Sequence, residues 1–240
     1  MAKRTSPPNP LPDVLKPSDV RALVFNTNAE PQAWFAKTFA GEIKRAIATL
    51  TVTFNEYRAL GARVFEGERE ATVMLFIHAA VNSLITSLHL FVSGLPIPAG
   101  QLMRHFAESI AMAMLCADTS LNVYEKYALN RRDFAVHKSL DMILRKDVAK
   151  SLAQSLRLDN EGYQKFAKVM RFYDNHSHAS ALTLAFSMMF SADGGLIVGS
   201  QVDPTKRDQY RNELKRYSLG ARLVRDLIAS LDSVLPKRPV

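Results

Sequence analysis

Between residues 71 and 93 the chain reads ATVMLFIHAAVNSLITSLHLFVS, and no second segment is as apolar. A run of this length could cross a bilayer, but His78, Asn82 and His89 interrupt it, and polar side chains are expensive in lipid. The strongly polar EGERE precedes it. The better account is a core helix over 68 to 93, so the fold must supply neighbours that bury it and no membrane contact is expected. Hydrophobic residues make up 48% of the 240, enough for one sizeable core.

The rest of the chain supplies such neighbours. From 31 to 64, Phe35, Phe39, Ile43, Ile47, Leu50, Phe54 and Tyr57 recur at helical spacing and predict one long amphipathic helix with Pro31 in its first turn. GLPIPAG ends the apolar helix, because two prolines and two glycines forbid its continuation. A third helix over 100 to 117 carries Leu102, Phe106, Ile110 and Met114 and should fold back on the second as an antiparallel hairpin. Further helices are expected at 120 to 130, 133 to 157 and 160 to 175, the last capped by Asp159 or Asn160.

ALTLAFSMMF, SADGG and LIVGS leave helical spacing, and the Asp-Gly-Gly turn predicts a short β-hairpin. Asp203-Pro204 opens a last helix with a stripe at Tyr210, Leu214, Tyr217, Ala221, Val224, Ile228, Leu231 and Leu235, which must pack on the bundle or on a second subunit. The expected fold class is all-α, a helical bundle with a small β-hairpin before the last helix. Residues 1–28 read as a flexible Pro-rich tail and 29–236 as a single helical domain.

A single cysteine, Cys116, rules out an intrachain disulfide and a Cys-based zinc site, and a cytoplasmic setting fits. The formal charge of +8 permits contact with a polyanion. In the last helix, however, Arg207, Arg211, Lys215, Arg222 and Arg225 alternate with Asp208, Glu213 and Asp226, a pattern that a solvated face explains without nucleic acid. No phosphate-binding loop, dinucleotide fingerprint or hydrolase elbow occurs, and no glutamate has a histidine three residues later, so no cofactor is expected.

Polar chemistry is concentrated in two places. Arg104 and Glu108 stand one turn apart in an apolar helix, where both can point inward and pair. The segment RFYDNHSHAS holds Arg171, Tyr173, Asp174, His176, Ser177 and His178. Helical continuation would place 171 near 178 and 173 near 177. A guanidinium can neutralise a phosphodiester while an imidazole moves protons near neutral pH. Two other readings stay open: a helix terminus satisfied by these side chains, which would make the chain a non-catalytic helical binding or assembly module with a structural polar core, and a weak metal set of Asp174, His176 and His178.

The spacings Arg171-x4-His176 and Arg171-x6-His178 resemble the signature of the higher-eukaryote and prokaryote nucleotide-binding (HEPN) superfamily of helical ribonucleases found in toxin and phage-defence systems. The resemblance implies metal-independent RNA cleavage at Arg171, His176 and His178, with RNA as partner and a site composed across a dimer. Phe172 stands where that family commonly has a polar residue. Tyr173, Asp174, Ser177, Arg104 and Glu108 would support the site. A second likeness, to a group of uncharacterised bacterial helical proteins, covers the helical hairpin, Arg104-x3-Glu108 and the Tyr-x3-Ser-His-Ala-Ser element, and implies a fold without an activity.

Overall fold

The computed structural model describes residues 28–64, 67–156, 200 and 202–237, together with the backbone of 188–189 and 195–196. Its α-helices in chain order are α1 (Ala29–Thr38), α2 (Ala40–Arg63), α3 (Glu68–Val92), α4 (Pro96–Ala117), α5 (Val123–Leu129), α6 (Ser139–Leu144), α7 (Lys146–Ser155) and α8 (Arg207–Val234). The described chain is all-α apart from one two-residue antiparallel pairing, Met188 with Leu196 and Met189 with Gly195. The turn of the expected hairpin, the expected helix over 160 to 175 and the tail lie outside the described residues.

The apolar segment is α3, and by length and composition α3 alone among the described helices could cross a membrane; 44% of its apolar window is buried within the protein. It is paired antiparallel with α4, as the sequence predicts. Ser83 Oγ lies 2.7 Å from His105 Nδ1, and Ser87 Oγ donates to the carbonyl of Ala99 at 2.7 Å, so residues ascend on one helix as they descend on the other. The turn between them is shorter than GLPIPAG suggests. Gly94 takes φ 76°, which favours glycine, and α4 already begins at Pro96, where a missing N–H is not needed. The small buried residues Ala107, Ala111 and Ala113 let α4 approach its neighbours closely, with Met103, Met112 and Leu115 filling the remaining space.

Helix α8 lies across both α3 and α2. All eight members of its predicted stripe are buried, so the stripe packs on the chain's own bundle rather than being kept for a partner. The approach is close at Gly220, where a Cβ would stand 3.4 Å from Leu84 Cδ1 and Phe106 Cε1. Against α2, α8 runs parallel and in register: Arg211 pairs with Glu42, Arg225 with Glu56 and Arg63 with Asp232, at a constant offset of 169 residues. The buried Thr53 hydroxyl donates to the Ala221 carbonyl at 3.1 Å and fixes that register from inside.

Three expectations are corrected. The helix over 31 to 64 is two helices, broken at Phe39 with φ −126° and ψ 31°. Phe35 before the break and Phe39 at it both enter an aromatic cluster with Phe91 and Tyr210, ring centroids 5.3 to 5.9 Å apart for the Phe35–Phe91, Phe35–Tyr210, Phe35–Phe39 and Phe91–Tyr210 pairs. Beyond it α2 buries Ala46, Leu50, Thr53 and Leu60, which leaves Ile47 53% and Phe54 37% exposed although the periodicity had placed them inward. The helix over 133 to 157 is likewise interrupted: a 3₁₀ turn (Val136–Lys138) leads into α6, and extended backbone at Arg145 separates α6 from α7. Asp147 in the first turn of α7 accepts from Arg145 Nη2 at 2.8 Å and favours a helix start there.

Candidate polar centre at Arg104 and Glu108

On α4 the stripe that passes through Arg104 and Glu108 continues one turn later into Met112 and Leu115, both fully buried. The pair therefore sits at the rim of the core. Arg104 Nε donates to Glu108 Oε1 at 2.8 Å, and the side chains are only 16% and 13% exposed, which separates this pair from the solvent-exposed ion pairs elsewhere. A charge-assisted bond through Nε fixes the plane of the guanidinium as well as its position. Ser139, fully buried at the start of α6, donates to the Glu108 carbonyl at 3.3 Å and ties α6 to this turn of α4.

Neighbouring His105 turns the other way, to Ser83 on α3. Of the predicted site, the structure thus positions Arg104 and Glu108 and brings them together. Arg171, Tyr173, Asp174, His176, Ser177 and His178 lie outside the described residues. Among the described residues no group of three or more His, Cys, Asp or Glu side chains could hold a metal ion.

Several buried polar groups escape a pattern-based reading. Asp118 follows α4 and accepts hydrogen bonds from Ser120 N–H at 2.9 Å and from the hydroxyls of Ser120, Ser151 and Ser155 at 2.7 to 2.8 Å. Burial alone would raise its pKa, but these hydrogen bonds outweigh burial and hold the carboxyl below its usual value. The bonds clamp α7 onto the end of α4. Asp203 caps the 3₁₀ turn (Pro204–Lys206) by accepting from Thr205 N–H at 2.9 Å. Its carboxylate stands 3.9 Å from the buried Lys206 ammonium, whose pKa is lowered by desolvation against the opposing pull of Asp203. An Asp-x-Ser and an Asp-Pro-Thr are local signals for such turns; the burial of Lys206 carries no signal.

Glu213 corrects the expectation of a uniformly solvated α8 face: it is buried, with Arg216 as an ion-pair partner. Beside it the wholly buried Tyr217 hydroxyl meets Ser87 Oγ at 2.9 Å, and desolvation raises the phenol pKa far above its usual value. Burial likewise pushes the Cys116 thiol up to about 12, so it stays protonated and inert near neutral pH. No protein-family model, no curated protein and no solved structure matches this chain.

Proposed function

We propose that the chain is a HEPN-like, metal-independent endoribonuclease of a bacterial defence or toxin system, acting in the cytoplasm as a dimer. The observation that carries the reading is the half-buried Arg104–Glu108 pair at the rim of the core, in a sequence whose densest reactive segment is RFYDNHSHAS. An ordered guanidinium and carboxylate at the rim of a core can hold neighbouring polar groups in position, which is the supporting role this reading gives the pair. A small β-hairpin before the last helix belongs to the same reading, and the antiparallel pairing of Met188 with Leu196 and Met189 with Gly195 is compatible with it.

In this mechanism Arg171 neutralises the scissile phosphate and Tyr173 orients the strand. One of His176 and His178 takes the proton of the ribose 2′-hydroxyl as its oxygen attacks phosphorus, and the other delivers a proton to the departing 5′-oxygen. The products are a 2′,3′-cyclic phosphate and a 5′-hydroxyl, with no redox change and no metal. Asp174, Ser177, Arg104 and Glu108 hold the acting groups in place.

The test is cleavage of end-labelled RNA in the presence of a chelator. The native protein should leave cyclic phosphate ends, and the double substitution His176→Ala, His178→Ala should lower the rate by roughly 10²-fold or more. Identical action of the two proteins on RNA, together with identical behaviour in a growth-toxicity assay, would end the reading.

A further inference from the structure

We propose that the groove between α2 and α8 at Arg45, Lys215 and Arg222 is a track for the phosphate backbone of single-stranded RNA. The parallel pairing of these helices leaves two grooves end to end, both touched by Arg222. In one, about 550 Å³, Arg225 is matched by Glu56 through two bonds of 2.8 and 2.9 Å, and Arg63 by Asp232. The other, about 380 Å³, is lined by Glu42, Arg45, Thr49, Lys215, Ser218 and Arg222. Its lining carboxylate, Glu42, is already engaged by Arg211 at 3.3 Å and by Arg45 at 4.0 Å.

Lys215 and Arg222 are exposed and have no ion-pair partner among the described residues. Positive charge therefore accumulates in this groove and is cancelled in its neighbour. Two turns of α8 separate Lys215 from Arg222, roughly 10 Å along the axis, with Ser218 on the same face between them. Cations spread along a groove suit a repeating polyanion better than a single converging phosphate. Leu219, 38% exposed in the same groove, offers an apolar surface for a ribose or base. The pattern divides the basic residues of α8: Arg211 and Arg225 brace the fold, whereas Lys215 and Arg222 are left to bind.

The choice of RNA as occupant rests on the ribonuclease reading, so binding is measured on RNA that cannot be cleaved. Fluorescence anisotropy with a labelled 2′-O-methyl oligoribonucleotide compares the native protein with Lys215→Gln/Arg222→Gln and with Lys146→Gln/Lys150→Gln. The latter removes the same charge from α7, and equal thermal midpoints verify that all three fold. The groove variant should bind roughly tenfold more weakly, with the slope of log affinity against log salt reduced by about 1.4 for two lost phosphate contacts, while the α7 variant binds as the native protein does. Equal losses in the two variants, no binding by the native protein, or displacement of the RNA by polyglutamate at equal charge concentration would overturn the track. Ordinary RNA left intact, together with the expected binding pattern, would end the ribonuclease reading and still support the track.

Discussion

The α3–α4 hairpin and the α2–α8 pair solve the same packing problem by opposite means. Between α3 and α4 the contact is apolar and close, with small residues on α4 and the internal bonds of Ser83 and Ser87. Between α2 and α8 the register is set by one buried threonine bond and by ion pairs at the rim of the interface. Dry packing resists change at every position, whereas a rim of ion pairs can be altered cheaply and leaves charge over for ligands. The candidate catalytic support sits on the first pair and the candidate binding track on the second.

If that contrast is right, Phe106→Ala does the most damage. Phe106 is fully buried where α4 meets Gly220 of α8, and its truncation should destabilise by about 3–5 kcal/mol in urea unfolding. A loss under about 1 kcal/mol would mean that the three helices are not packed around it.

Next comes Asp118, which joins the hairpin to α7. Its folded pKa is depressed, so its contribution to stability is present above the ordinary carboxylate pKa and is lost as the pH falls through the lower folded value. Thermal midpoints measured from neutral to acid pH should show Asp118→Asn less stable at neutrality and converging on the native protein at the acid end. A constant gap would place the effect in geometry rather than charge.

The smallest effect belongs to Glu56→Gln on the ion-paired rim. It should lower the midpoint slightly at low salt and hardly at all at ionic strengths on the order of 1 M. A large, salt-independent loss would mean that the α2–α8 rim is as rigid as the hairpin core.

How much of this was legible in the sequence follows the same division. The α3–α4 hairpin, the buried stripe of α8 and the Arg104–Glu108 pair were readable because each depends on a local signal, a Pro-Gly turn for the hairpin and spacing along one helix for the other two. The break at Phe39, the exposure of Ile47 and Phe54 and the burial of Glu213 and Lys206 were not, because each depends on which neighbour a helix face meets. Periodicity defines a stripe but cannot say where the helix that carries it is interrupted. The unequal fates of Arg225 and Arg222 also depend on α2, which alternating charges on α8 do not reveal. For the site itself, residue types and spacing suggest the chemistry, and the described structure shows the Arg104–Glu108 pair on α4, while RFYDNHSHAS lies outside the described residues.

The central claim is that RFYDNHSHAS serves catalysis rather than the stability of a helix end. It is tested most directly by measuring RNA cleavage and thermal midpoint on the same preparation of Arg171→Ala/His178→Ala. The account predicts cleavage abolished and a midpoint unchanged or raised, since groups arranged for catalysis are seldom arranged for stability. Native-like cleavage, or a protein whose midpoint falls steeply as its structure is lost, would contradict it.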